Sequence, residues 1–206
     1  MNKTKFDVKF IARTGFFAAI SILLYLVPVF SVSLPIFPSF LKIHFDEIPA
    51  LIAGFAYGPL SGIIIIVVKT LAKLPLTTTI AVGELADLIY SIAFIVPASL
   101  IYKKMHSLKG ALAAIGISIV IQAIVASVFT TYVMLDFYIF VMGLPEGAIL
   151  GMCQAINPNI TSLGLPFLFM ISLPFNLLKD AMVAVVTMLL YKRLHSLIDK
   201  IGQEKN

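Results

Sequence analysis

A few side chains that are suited to molecular recognition lie inside otherwise apolar segments of the sequence. They are Glu84, Asp87, Asn176, Lys179 and Asp180. Residues three and four apart share one face of a helix, so the last three form one face and the first two form another. Burying a charge in apolar surroundings is costly unless the charge is paired, so we expect these groups to face a cavity or each other.

An amide beside an ammonium, as at Asn176 and Lys179, can recognise a planar heterocycle that carries several acceptors. The amide both donates and accepts hydrogen bonds, and the ammonium adds donors of its own. Such a pair suits a flavin or a pterin. The alternative is a structural ion pair between Lys179 and Glu84 or Asp87, which requires no ligand. On the residues alone, both interpretations stay open.

Two further segments carry candidate contacts. Three consecutive threonines, residues 77–79, stand before Gly83, and their hydroxyls either cap the following helix or contact a polyol. Upstream, Phe37, Phe40 and Leu41 lie in an apolar loop. This loop either packs on the helices or covers a pocket, because ligand pockets are mostly apolar with few polar groups.

Sequence motifs for catalysis and metal binding are absent. The sequence has no G-x-x-x-x-G-K-[ST] phosphate loop, no H-E-x-x-H and no G-x-S-x-G. Its one cysteine and three histidines show no metal-ligand spacing. We therefore expect neither an enzyme nor a metal site, and no ATP hydrolysis by this chain.

The composition is that of an integral membrane protein. Of 206 residues, 60% are hydrophobic and 12% are charged, and the mean hydropathy is +1.05. A soluble domain carries about 25% charged residues. The formal net charge of +5 does not indicate a nucleic-acid partner, because the basic residues stand at helix ends and termini.

Apolar runs recur along the whole chain, and about 20 helical residues are enough to cross a bilayer. We predict an all-α membrane protein with one domain over residues 1–206, built as a six-helix bundle. The predicted helices cover residues 9–29, 46–57, 60–73, 82–102, 109–141 and 166–191. The fifth is long enough to be tilted or broken near Asp136, and residues 143–165 are predicted to form a loop.

Six spans place both termini on the same side of the membrane, and that side carries most of the fifteen Lys and Arg residues. By the positive-inside rule it is cytoplasmic. The loops at 30–45, 74–81 and 142–165 then face outward. Lys69 and Lys73, one turn apart, are expected to snorkel toward the outer interface.

Gly15 and Ala19 form a small-x-x-x-small pair on the first helix, which allows close approach of another helix. The residues alone favour packing within the bundle.

Three blocks of the sequence resemble the riboflavin-specific S-component, the substrate-binding membrane subunit, of energy-coupling-factor transporters. They are FLKIHFDEIPALIAGFAYGPLSG at 40–62, VGELADLIYSIAFIVPASLIYKK at 82–104 and PFNLLKD at 174–180. Their order and spacing agree with the family from about residue 15 to residue 193. Each block alone is weak, whereas the three together are specific.

The resemblance implies a multi-pass subunit of the bacterial plasma membrane that captures riboflavin from outside with high affinity. Riboflavin would be the transported substrate, and no cofactor is expected. The partners would be a transmembrane T-component, two ATPase subunits and the lipid bilayer. Gly15 and Ala19 match the family's small pair on helix one that packs against the T-component.

The resemblance also implies a riboflavin pocket formed by the first loop and helices four to six. Asn176 and Lys179 match residues that contact the isoalloxazine ring. The other expected contacts are Phe40, Leu41, Lys42, Thr79, Gly83, Glu84, Asp87 and Thr131. Thr131 departs from the family pattern, which has Asn before Tyr at this point, and threonine has a shorter reach and no amide.

The sequence leaves other functions open as alternatives. One is an S-component for another flavin or vitamin, and another is a self-sufficient secondary transporter. The latter typically shows repeats with broken helices at matched positions, and none is visible in this sequence. A membrane scaffold would not need Glu84, Asn176 and Lys179 in its interior.

Overall fold

The computed structural model of the protein describes residues 7–203, which are mostly helical. Their helices are α1 Val8–Leu26, α2 Glu47–Tyr57, α3 Pro59–Lys73, α4 Val82–Lys104, α5 Leu108–Phe129, α6 Glu146–Gln154 and α7 Leu173–Gln203, with a short turn of helix at Leu165–Phe167. Side chains fix two of the helix starts. Asp7 accepts from the Phe10 N–H at 2.7 Å, and Ser107 accepts from the Gly110 N–H at 3.0 Å.

Within the described residues, five helical stretches are long and apolar enough to cross a membrane. They are Val8–Leu26, Pro59–Leu76, Val82–Lys104, Leu108–Val141 and Leu165–Leu190. The predicted all-α membrane bundle is confirmed. The remaining predicted span, α2, has only 11 residues, which rise about 16 Å. The count of six spans and the cytoplasmic position of the termini stay predictions.

Helix α2 lies at the centre of the bundle. Every residue from Glu47 to Phe55 is buried, and the helix packs against α1, α3, α4 and α7. Its N-terminal end carries Asp46 and Glu47, and a helix N-terminus favours negative charge. The fold therefore places two carboxylates inside the protein, next to the cavity described below.

Three predicted boundaries need correction. The sixth helix, predicted to end at residue 191, continues to Gln203. Helix α1 ends at Leu26 instead of near residue 29, because a 3-10 turn over Pro28–Phe30 follows it. The predicted loop at 143–165 contains α6, whose Ile149 and Cys153 are buried. An apolar side that packs on the protein explains why this segment is helical.

The fifth helix is not broken near Asp136. It continues beyond α5 through two π-helical segments, Thr130–Met134 and Phe137–Val141. A third π-helical segment, Leu168–Ser172, leads into α7. Such turns are rare and frequently occur at functional sites.

The first loop is held against one end of the bundle. Its ends pair as a short antiparallel hairpin, β1 Ser31–Val32 with β2 Ile43–His44. Between them, Phe40 stacks on Phe167 with ring centroids 6.5 Å apart. Phe37 packs against the apolar cluster that contains Phe167. The loop thus packs on the helices, as one of the two interpretations of its sequence predicted.

Candidate ligand-binding site

A cavity of about 420 Å³ is lined by the first loop, the turn before α4 and the helices around α2. Small-molecule pockets usually measure about 300–1,000 Å³. Nine of the ten predicted ligand contacts line this cavity: Phe40, Leu41, Lys42, Thr79, Gly83, Glu84, Asp87, Asn176 and Lys179. The fold therefore brings together residues that are more than 130 positions apart in the sequence.

Thr131 does not line the cavity, so its predicted contact needs correction. Its side chain is buried, and Oγ1 donates to the Ser127 carbonyl oxygen at 2.7 Å. Thr130 lines the cavity instead, with its hydroxyl 2.9 Å from that of Tyr90. Thr131 was expected because its position matches the family's Asn before Tyr, and in the structure this position lies in the π-helical segment Thr130–Met134.

Lys179 is buried at the wall of the cavity. Its Nζ donates to Glu47 Oε2 at 3.1 Å and lies 3.3 Å from Asp180 Oδ1. The predicted structural pair with Glu84 or Asp87 is wrong. An ion pair does exist, but the acid comes from α2, because that helix presents its N-terminal carboxylates toward α7.

Asn176 stands three residues before Lys179 on α7 and also lines the cavity. Its Nδ2 donates to the Ser172 carbonyl oxygen at 2.8 Å and lies 3.5 Å from Ser127 Oγ. No described residue donates to its Oδ1. An amide oriented in this way can accept a hydrogen bond from a ligand N–H.

Lys69 does not snorkel to the outer interface, contrary to the prediction. Its exposed fraction is 0%, and its Nζ donates to Asp46, to Asp87 Oδ2 at 2.9 Å and to Ser91 Oγ at 3.1 Å. Two carboxylates inside the bundle offer this ammonium partners that sequence periodicity does not reveal. Lys73, one turn later, lines the cavity.

Glu84 organises the polar turn before α4. Its Oε2 accepts from Thr77 Oγ1 at 2.7 Å and from Thr79 Oγ1 at 3.2 Å. Thr79 Oγ1 accepts in turn from the Gly83 N–H at 3.0 Å, so this threonine caps α4 as well as lining the cavity. Residues 80–81 have φ angles of 54° and 67°, a left-handed conformation that is unfavourable without glycine and often marks functional sites.

Part of the cavity wall was missed by sequence reasoning. The side chains in question include Tyr25, His44, Asp46, Glu47, Tyr90 and Tyr138. The usable signal was the pair Asp46–Glu47, two adjacent acids at the start of an apolar helix. Burial lowers the pKa of His44 to about 4, so its imidazole is neutral near pH 7.

The arrangement can bind a polar heterocycle. Aromatic and aliphatic side chains from the first loop and from the helical segment that follows α5 form one part of the wall, and fixed carboxylates, an ammonium and an amide form another. Apolar surface with a few convergent polar groups is typical of small-molecule sites. Within the part of the chain that the structure describes, no group of three His, Cys, Asp or Glu side chains could hold a metal ion.

Gly15 and Ala19 lie in a second, apolar groove between α1 and α3. Both residues are exposed, and a Cβ added at Gly15 would meet no heavy atom within 4 Å. The expectation from the residues alone, packing within the bundle, is wrong. This face of α1 is open to a helix from another chain.

A bundle of membrane-spanning helices with a cavity of this size is typical of a membrane protein that binds a small molecule. A family model described as "ECF transporter, substrate-specific component" matches residues 9–191, and the chain belongs to this family. The membership expected from the three sequence blocks is confirmed. The protein is a multi-pass protein of the cell membrane.

Individual relatives agree with the family match. The chain is 29% identical to the riboflavin transporter RibU of Staphylococcus aureus (strain TCH60) over 168 residues, 82% of each chain. It is 28% identical to the riboflavin transporter FmnP of Bacillus subtilis (strain 168) over 169 residues, 81% of this chain and 83% of the relative. The solved structure of the S component of a bacterial ECF transporter matches with a TM-score of 0.71 and 26% identity, covering 92% of this chain and 97% of that chain.

Proposed function

We propose that this S-component binds riboflavin with high affinity from the outside of the cell and delivers it to an ATP-driven importer. The observation that carries the proposal is the position of Asn176 and Lys179 side by side on the cavity wall. The two relatives named as riboflavin transporters support the choice of ligand.

Riboflavin has three regions that the cavity can accommodate. The pyrimidine edge of its isoalloxazine ring carries carbonyl acceptors and one N–H, which suit the Lys179 ammonium and the Asn176 amide oxygen. The dimethyl edge is apolar and suits Phe40 and Leu41. The ribityl chain is a polyol and suits the polar turn at Thr79. The remaining proposed contacts are Lys42, Gly83, Glu84 and Asp87.

The energy for import would come from partners, a transmembrane T-component and two ATPase subunits. The absence of a phosphate loop from the sequence supports this division of work. The open groove at Gly15 and Ala19 supports docking of a partner helix, because small residues allow backbones to approach closely. Riboflavin is then cargo, and we propose no cofactor.

Titration of the purified protein with riboflavin in detergent, without ATP, tests the proposal. The sequence contains no Trp, so the flavin's own fluorescence provides the signal. We expect saturable quenching at about one riboflavin per chain, with no competition from thiamine or folate. Binding of one of those vitamins without saturable riboflavin quenching would overturn the ligand assignment and leave the family membership in place.

A further inference from the structure

Two buried charge clusters meet at the hydroxyl of Ser91 on α4. On one side, Lys69 Nζ donates to Ser91 Oγ at 3.1 Å. On the other side, Ser91 Oγ donates to Glu47 Oε1 at 2.9 Å, and Glu47 Oε2 accepts from Lys179 Nζ at 3.1 Å. A continuous chain of hydrogen bonds therefore joins α3 to α7 through α4 and α2.

The chemistry of the groups fixes the direction of each of these hydrogen bonds. An ammonium has no acceptor, so Lys69 can only donate to Ser91. The single hydroxyl proton of Ser91 is then free to go to Glu47. Glu47 thus accepts at both oxygens, one from Ser91 and one from Lys179, and a carboxylate held at both oxygens has little freedom to turn.

Ser91 and Lys69 both have an exposed fraction of 0%, and neither lines the cavity. The groups they hold do line it, namely Asp87, Glu47 and Lys179. We propose that Ser91 is a positioning residue for ligand recognition, which orients the Lys179 ammonium through Glu47 without touching the ligand. This inference rests on the proposed binding of riboflavin beside Lys179.

Ser99 provides a comparison within the same helix. It stands two turns after Ser91 on α4 and also has an exposed fraction of 0%, yet its Oγ has no hydrogen-bond partner among the described residues. Replacing either serine by alanine removes the same atom from a buried site. Only the change at Ser91 interrupts the hydrogen bonds that join the two charge clusters.

The test is riboflavin titration of Ser91→Ala and Ser99→Ala, with thermal stability measured on the same preparations. Hydrogen bonds to charged groups are strong, so we expect Ser91→Ala to raise the riboflavin Kd about tenfold and Ser99→Ala to change it less than about twofold. Ser91→Cys, which fills the same space with a weaker donor and acceptor, should raise the Kd in the same direction. It serves as the second variant if Ser91→Ala is poorly folded.

A second background separates positioning from general loosening of the site. The Lys179→Met variant lacks the ammonium that Ser91 positions. Adding Ser91→Ala to this variant should therefore change its riboflavin Kd by less than about twofold. Equal Kd values for Ser91→Ala and Ser99→Ala, or a full tenfold effect of Ser91→Ala in the Lys179→Met background, would overturn the inference while the proposed function stands. Absence of riboflavin binding by the unsubstituted protein would overturn the proposed function and this inference with it.

Discussion

Lys69 of α3 donates to Asp87 of α4 at 2.9 Å from a position with no exposed surface. The same ammonium donates to Asp46 at the start of α2, so one side chain links three helices. Both acids line the ligand cavity. Removing one charge from a buried ion network leaves its partners without a counter-charge. This costs more stability than replacing the whole network by apolar residues.

Lys69→Met should therefore destabilise the protein strongly. We expect the free energy of unfolding in detergent to fall by about 3–5 kcal/mol, because the buried Asp46 and the half-buried Asp87 lose their counter-charge. The matched control is Lys73→Met, one turn later on α3, where the ammonium forms no ion pair with a described residue. That control should cost less than about 1 kcal/mol, and equal losses in the two variants would contradict the network.

Asn176→Ala should weaken riboflavin binding by about 1–3 kcal/mol, since a ligand N–H would lose its acceptor in a buried site. Fluorescence titration measures this change directly. Asn159→Ala removes the same amide from an exposed position away from the cavity and should leave the affinity unchanged. An Asn176→Ala protein with full affinity would show that the ring does not contact this amide.

Lys179→Met should reduce both affinity and thermal stability, because Lys179 faces the cavity and also pairs with Glu47. The two roles can be separated by adding Glu47→Gln, which removes one of the two carboxylates, Glu47 and Asp180, that the first change leaves without the ammonium. We expect the double variant to regain part of the lost stability but not the affinity, measured by thermal unfolding and by titration. Recovery of affinity in the double variant would mean that Lys179 serves the fold alone.

Local patterns predicted the position of the candidate recognition residues better than the residues that pair with them. Asn176 and Lys179 could be placed together because the helical repeat is local, and the structure puts both on the cavity wall. The ion pairs of Lys69 and Lys179 could not be predicted, since their acids come from α2 and α4 and depend on how distant helices pack.

Two further differences have local causes that single-sequence patterns describe poorly. Thr131 was predicted from its match to the family's Asn before Tyr, and such a match does not show which residues face a cavity when the helix contains a π-helical turn. Helix α6 was predicted as loop because its nine residues lie among Gly, Pro and Asn, and its helical form depends on burying Ile149 and Cys153 against the protein. Tertiary packing overrides weak local preferences in such segments.

Gly83→Ala tests the polar turn before α4. A Cβ at Gly83 would lie 2.6 Å from Thr79 Oγ1, so that side chain must move and its hydroxyl can no longer point to the same place. We expect riboflavin binding to weaken by about 0.5–1.5 kcal/mol, the net value of one hydrogen bond, in the fluorescence titration. The control is Ala81→Gly, which adds no atoms and suits the φ of 67°; it should preserve the affinity and the thermal stability.

The groove on α1 gives a prediction that separates binding from transport. Gly15→Leu combined with Ala19→Leu should fill the open groove and exclude a partner helix. Because both positions are exposed and lie outside the cavity, riboflavin affinity in detergent should stay nearly unchanged. Co-purification with the T-component should be lost, and uptake into cells or ATP-containing proteoliposomes should fall with it.

The matched control for added bulk is Ala113→Leu with Gly116→Leu on α5, where both positions are exposed and a Cβ at Gly116 would meet no heavy atom within 4 Å. This pair should leave assembly and uptake intact, because it lies away from the α1 groove. If Gly15 and Ala19 instead stabilised the fold of this chain, the α1 double variant would lose thermal stability and riboflavin affinity together. Full uptake by the α1 double variant would refute the importer mechanism. Uptake against a gradient by this chain alone in ATP-free vesicles would refute it too, because a secondary transporter needs neither the groove nor the ATPases.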